Sequence, residues 1–299
     1  MGLGGALIWS GLARNLKKTF PDKKIVFIYK KSWKGFLKPH PDHIIFKNNP
    51  DIEKVLSKQA YIFLKLFKPH DWLIVDMDKK EMLYWEKESL DKKKIFFKNN
   101  SKHAIQIACD YYGIKQADLR PKIVFLKEEI QKVEQILKKN NLSESRFLVV
   151  EPNIKTDFSQ NKKWVWENWQ KLVNLLKDKN IVVVQIGVKG GRVLNNVIDL
   201  TGQTSFREAI CLISKAKVFV GIEGGLAHGA SATNVRSVIL ISGFTPKELF
   251  AYPKNINLYK GNLCQEACGL KEPCFEGVKC MAQIKVEEVL EAALKLWNS

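Results

Sequence analysis

From Phe147 onward, short runs of consecutive apolar residues alternate with stretches whose apolar positions recur at helical spacing. Phe147–Val150, Ile181–Ile186, Val218–Ile222 and Val238–Ile241 are short and almost unbroken by polar residues, which predicts strands buried on both faces. Between the first two, Trp166, Trp169, Leu172, Val173 and Leu176 fall on one side of a helical projection and predict an amphipathic helix over 166–177. Ser205 followed by Glu208 has the form of a capping box opening the next helix, and Thr245, Pro246 and Glu248 repeat that logic with proline at the first helical position. A closing helix over 286–297 puts Val286, Val289, Leu290, Ala293, Leu294 and Trp297 on one face. Strands and helices alternating in this way predict parallel βαβ units.

The first half follows the same logic less regularly. It predicts a helix over 6–19, strands at 25–29 and 44–46, a buried run at 72–75, and helices over 102–112 and 126–137. The boundary is expected near Arg120–Pro121. The fold class is therefore α/β, with two Rossmann-like domains over 1–121 and 122–299, each a parallel sheet flanked by helices.

Composition narrows the class. With 299 residues, 45% hydrophobic and 27% charged, the chain can bury large cores, which excludes general disorder. No apolar run reaches the ~18 residues of a membrane span, and no signal-peptide core follows Met1, because Arg14, Lys17 and Lys18 arrive too soon; a cytoplasmic chain is expected. The formal charge is +18, and more than half of the excess lies in residues 1–100, so anionic partners are expected. The excess is mostly lysine spread along the chain rather than arginine on one recognition helix, which argues against base readout of nucleic acid.

Candidate chemistry concentrates in Val220-Gly221-Ile222-Glu223-Gly224-Gly225-Leu226-Ala227-His228, a strand feeding a glycine turn and then a helix of small residues. Such a turn aims backbone amides at one point, which suits a phosphate or diphosphate, and its carboxylate suits sugar hydroxyls. The same pattern also serves tight helix–strand packing around a satisfied buried histidine. Glu151-Pro152-Asn153-Ile154-Lys155-Thr156, running on to Asn161-Lys162-Lys163-Trp164, follows the first strand of the same domain, and both segments should meet at the carboxyl ends of the strands.

These segments, with Gly2-Leu3-Gly4 before the first helix, Leu200-Thr201-Gly202-Gln203-Thr204-Ser205, Gly243-Phe244-Thr245-Pro246 and Lys279-Cys280-Met281, resemble glycosyltransferase family 9, the ADP-heptose heptosyltransferases of GT-B fold. The resemblance is dense from about 147 to 290. It implies a nucleotide-sugar donor, ADP-heptose, held by Lys163, Thr156, Glu223, Gly224, Gly225 and His228, and an acceptor-side loop at Gly2, Gly4 and Gly5. It further implies inverting transfer that requires no metal, with positive charge and helix-end amides stabilising the departing diphosphate.

Two departures stand out. Where the family carries its aspartate base, this chain has Gly5, so no catalytic residue is assigned. The family also has a buried strand ahead of the glycine loop, for which Met1-Gly2 leaves no room, so the N-terminal domain is expected to lack its first strand through a missing upstream segment. These departures keep open a catalytically silent relative that binds nucleotide-sugar or glycan without transfer.

Six cysteines remain. Cys109 and Cys211 lie on apolar helical faces, whereas Cys264, Cys268, Cys274 and Cys280 cluster in a loop over 264–280 that could hold a structural zinc or iron, form disulfides, or keep free thiols. Tyr61, Ile62, Phe63, Leu64, Leu66 and Phe67, flanked by Lys58, Lys65 and Lys68, read as a core helix with lysines reaching solvent. By analogy with heptosyltransferases, this stretch is alternatively a peripheral contact with the inner face of an anionic membrane that presents a glycan or lipid-linked acceptor.

Overall fold

The computed structural model describes residues 2–29, 43–64, 69–83, 85–98, 101–144, 146–153, 159–263, 267–274 and 277–299. The chain divides into two compact units, Met1–Tyr84 with Lys102–Val124, and Trp85–Ser101 with Phe125–Ser299.

The first unit opens with helix α1 (Leu3–Thr19), followed by strand β1 (Lys24–Tyr29), a helical turn α2 (His43–Phe46), β2 (Lys54–Ser57), α3 (Lys58–Leu64) and β3 (Trp72–Asp76). The strands form a parallel sheet of order β2-β1-β3. Five of the six β1 residues are buried, as a strand covered on both faces requires. Strand β1 takes the middle of this sheet and is paired on both sides.

Three expectations are corrected here. The glycine loop is helix: Gly2 is the N-cap of α1, and Gly4 and Gly5 lie in its first turn. Glycine disfavours a helix by about 1 kcal/mol per residue, but α1 buries Ala6, Leu7, Ile8, Leu12 and Leu16, and this packing decides the outcome. Gly11 lets α4 (Ala104–Asp110) come close, since a Cβ there would meet Ile105 Cδ1 at 2.5 Å. The run 44–46 is α2 rather than a strand, with Phe46 edge-on to Phe27 at 5.3 Å. The domain limit at 121 also shifts. Asn15 Nδ2 donates to Asp118 O and Asp118 N to Asn15 Oδ1, both at 2.8 Å, and Lys122 N donates to Ser10 Oγ at 2.9 Å, so the chain stays on α1 until Val124.

The excursion 85–101, expected in the first domain, belongs to the second unit. Strands β4 (Trp85–Glu88) and β5 (Ile95–Phe97) form an antiparallel hairpin, and Ile95 N donates to Gly269 O at 2.9 Å while Lys271 N donates to Lys93 O at 2.8 Å. Helix α5 (Lys127–Lys139) then leads into β6 (Phe147–Glu151), α6 (Trp166–Lys177), β7 (Val182–Gln185), β8 (Ile198–Asp199), α7 (Phe206–Lys215) and β9 (Val218–Ile222). The unit closes with α8 (Gly225–Ser231), β10 (Arg236–Ile241), α9 (Lys247–Phe250), β11 (Ile256–Tyr259), α10 (Lys279–Ala282) and α11 (Val286–Asn298).

Strands β6 to β11 form one all-parallel sheet of order β8-β7-β6-β9-β10-β11. Numbered from β6, this is the 3-2-1-4-5-6 order of dinucleotide-binding folds, whose order reverses between β6 and β9. Leu148, Val150, Val218, Val220, Val238 and Leu240 pack with Trp169, Leu172, Val173 and Leu176 of α6 and with Val286, Val289 and Ala293 of α11. Ser205 caps α7 as expected, with Glu208 completing the box. The second capping expectation fails: α9 is a single turn with Pro246 at its N-cap, and the buried Thr245 Oγ1 has no hydrogen-bond partner among the described residues.

Candidate functional site

The reversal of strand order brings the carboxyl ends of β6 and β9 side by side, with Glu151 in register with Gly221. Strand β9 runs into Glu223, whose amide donates to Leu240 O at 2.9 Å, and Gly224 continues extended at φ 172 before Gly225 begins α8. The Glu223 side chain is 4% exposed. One of its carboxylate oxygens, Oε2, accepts from the Lys162 ammonium, and the other, Oε1, lies 3.9 Å from His228 Nε2. The Lys162 ammonium also stands over the Phe244 ring, 5.2 Å from its centroid.

Of the two adjacent lysines, the sequence pointed to Lys163, but the chain turns Lys162 inward. Lys163 is exposed, with Nζ 3.4 Å from Gln160 Oε1. Trp164 fixes this phase: it is buried, its Nε1 donates to Ile284 O at 2.9 Å, and it meets Trp169 edge-on at 5.0 Å. The structure thus brings Glu223, Gly224, Gly225 and His228 together with Lys162, while Thr156 lies outside the described residues.

His228 is buried against Phe250 and Tyr252, at 5.1 and 5.7 Å between ring centroids. Its Nδ1 lies 2.8 Å from Tyr252 Oη. Burial, opposed by Glu223 and assisted by Lys162, pushes the imidazole down to about 4, and burial holds the Tyr252 hydroxyl well above its ordinary range. The tautomer with its proton on Nε2 accepts from the Tyr252 hydroxyl at Nδ1 and turns its N–H towards the Glu223 carboxylate; the opposite tautomer would put a lone pair against that charge.

The folded-state value lies below the ordinary 6.5, so neutral His228 contributes stability that is present above pH 6.5 and lost as pH falls through about 4. Replacing His228 with glutamine is expected to flatten the stability profile between pH 7 and 4 by up to about 3 kcal/mol. Urea denaturation at the two pH values measures the difference; an unchanged profile would show that His228 is not buried neutral.

Glu151, at the end of β6, was part of the sequence pattern but held no assigned role. Desolvation raises its carboxyl to about 8, which favours the protonated acid near neutral pH. In the first unit, Asp76-Met77-Asp78 ends β3 with the spacing of a divalent-ion pair. Both carboxylates instead bind the Lys58 ammonium, at 2.9 and 3.4 Å.

The cysteine cluster is only partly described. Cys264 lies outside the described residues, Cys268 and Cys274 are half-buried free thiols, and the buried Cys280 Sγ accepts from Gly243 N at 3.3 Å. Among the described residues no three His, Cys, Asp or Glu side chains stand together to hold a metal ion, so Cys268, Cys274 and Cys280 do not by themselves make the zinc or iron site that the sequence left open. Of the basic apolar stretch, 65–68 lie outside the described residues, and Ile62 on α3 is 65% exposed. No helix among the described residues is long and apolar enough to cross a membrane.

Comparison with known proteins agrees with this fold. The fold is similar to a glycosyl transferase family 9 structure from Veillonella parvula (TM-score 0.72, 12% identity, covering 100% of this chain and 95% of that one). It is similar to Escherichia coli ADP-heptose LPS heptosyltransferase II (TM-score 0.60, 16% identity, 99% and 96% covered). It is also similar to TibC from enterotoxigenic E. coli, described as an iron-containing dodecameric glycosyltransferase (TM-score 0.54, 16% identity, 93% and 77% covered). No curated protein matches the sequence. The sequence profile of glycosyltransferase family 9 (heptosyltransferase) matches residues 78–279, two thirds of the chain, and the chain therefore belongs to glycosyltransferase family 9.

Proposed function

We propose that the chain transfers a heptose from ADP-heptose to a cell-envelope glycan such as lipopolysaccharide or capsule, by inverting displacement without a metal. The observation that carries this reading is the half-buried Lys162 ammonium paired with the buried Glu223 at the Glu223-Gly224-Gly225 turn, where the strand order reverses. TibC has been captured with ADP-D-beta-D-heptose, which favours the same donor class here.

In this reading Lys162 takes over the role expected of Lys163 and neutralises the diphosphate, assisted by Thr156 and by the amides of the Gly225 turn. A carboxylate and a diphosphate repel each other, so Glu223 gives up Lys162 when the donor enters and accepts ribose hydroxyls instead. Neutral His228 and protonated Glu151 line the same end of the sheet without adding a negative charge. The acceptor oxygen bonds to the anomeric carbon as the bond from that carbon to the diphosphate oxygen breaks; the electron pair leaves with ADP and the hydroxyl proton passes to a base. The basic charge of the chain suits an acceptor on an anionic leaflet.

A second reading, a silent binder, is favoured by one observation. The first turn of α1, where Gly5 replaces the family aspartate, carries no acidic side chain. Turnover separates the two. We expect the protein to release ADP from ADP-heptose at a rate that rises with added deacylated lipopolysaccharide. Nucleotide binding with no ADP release on any acceptor would establish the silent reading, and no binding of ADP or ADP-heptose would contradict both.

A further inference from the structure

Asn161, next to the lysine that enters the site, is 3% exposed, and both ends of its carboxamide are hydrogen-bonded. Nδ2 donates to the carbonyls of Leu270 and Glu272, both at 2.8 Å, and Oδ1 accepts from Cys274 N at 2.8 Å. Ser159 adds a bond from Oγ to Leu270 O at 3.0 Å and accepts from Asn161 N at 3.1 Å. The same loop grips the opposite wall. Cys268 N donates to Gly243 O and Gly269 N to Phe244 O, both at 3.0 Å, and Phe244 is the ring beneath the Lys162 ammonium.

One strip of backbone, residues 268–274, therefore holds both the segment that carries Lys162 and the segment that carries the ring it stands on. A lysine stem has four rotatable bonds and loses roughly 2 kcal/mol of rotamer entropy when fixed. Lys162 thus needs its backbone held for the ammonium to stay at the carboxylate. Both Nδ2 protons and Oδ1 of Asn161 are bonded to the 270–274 backbone, and none of these bonds goes to Lys162 or Glu223, so it acts through position. We propose that Asn161 is a positioning residue: by splicing residues 159–161 to the cysteine-rich loop, it sets the Lys162 ammonium between Glu223 and Phe244. This makes the loop the frame of the donor site, and the proposal rests on the reading of that site given above.

The test has two arms, both on the full chain. The first uses ¹³C reductive methylation of lysines and needs no nucleotide. The Lys162 signal, identified by its loss in Lys162→Met, should be displaced from the envelope of exposed lysines by the Phe244 ring. In Asn161→Ala it should move into that envelope. Leu142→Ala, a core truncation elsewhere in the same unit, should lower stability and leave the signal in place. The second arm is a double-mutant cycle on ADP affinity. Asn161→Ala should weaken ADP about tenfold in the natural background and about twofold or less in Lys162→Met. Asn161→Asp, which keeps the acceptor for Cys274 N but sets a carboxylate against two carbonyls, should behave like the alanine variant. An unmoved Lys162 signal in Asn161→Ala, or equal weakening of ADP in both backgrounds, would overturn the proposal. Failure of the unaltered protein to bind ADP would refute the donor-site reading alone, and the first arm would still decide the role of Asn161.

Discussion

Lys162→Met is expected to weaken ADP binding by about 1.5–3 kcal/mol, roughly 10- to 150-fold, the range for a hydrogen bond to a charged group. It is also expected to destabilise the fold. Glu223 is 5% exposed, and without the ammonium its carboxylate is left buried, with the neutral His228 at 3.9 Å. Removing one member of a buried pair costs about 3–5 kcal/mol, because the other keeps its desolvation penalty. The two effects separate in the double variant Lys162→Met with Glu223→Gln. Removing the orphaned charge should recover most of the stability and none of the ADP affinity. Lys163→Met is the matched control: an exposed lysine with a long contact to Gln160 should change either quantity by less than about 0.5 kcal/mol. Calorimetry with ADP and urea denaturation give both numbers. Equal losses from Lys162→Met and Lys163→Met would contradict the assignment.

The second large effect lies away from the site. Arg207 at the start of α7 meets Glu129 of α5 through Nε at 2.5 Å and Nη2 at 2.9 Å, with side chains 4% and 9% exposed. Glu129 Oε2 also accepts from Leu126 N at 2.8 Å and so closes the first turn of α5. Arg207→Met strands a buried carboxylate and should cost about 3–5 kcal/mol. In a unit of this size that lowers the thermal midpoint by roughly 6–20 °C. Adding Glu129→Leu should restore part of the loss but not the share due to the helix cap. A midpoint shift of less than about 2 °C in the single variant would mean that the pair is solvated.

The second unit was legible because its elements obey one period each. The apolar spacing over 166–177 gave α6 with the bounds it has, and continuous apolar runs gave β6, β7, β9 and β10. Failures came where the deciding contact is remote in sequence. The run 44–46 is too short for periodicity to distinguish strand from helix, and its packing on Phe27 settles it. Strand β2 and the hairpin strand Trp85–Glu88 are half-polar or fully exposed, so neither shows a buried pattern; parallel pairing with β1 makes the first, and the bonds to residues 269 and 271 hold the second.

At the site, the acidic-glycine turn and its histidine were readable, but the choice between Lys162 and Lys163 was not. A loop has no period, and the phase is set by Trp164 docking on Ile284 and by Asn161 docking on 270–274. The protonated state of Glu151 is a desolvation effect and leaves no mark in a one-dimensional pattern.

Diffraction from crystals of the full chain grown with ADP addresses the donor pocket most directly. The account predicts nucleotide density at the carboxyl ends of β6 and β9, with diphosphate oxygens within about 3 Å of Lys162 Nζ and of the Gly225 amide, and with Glu223 turned to the ribose. ADP bound elsewhere, or lying there with its phosphates directed away from Lys162, would contradict it.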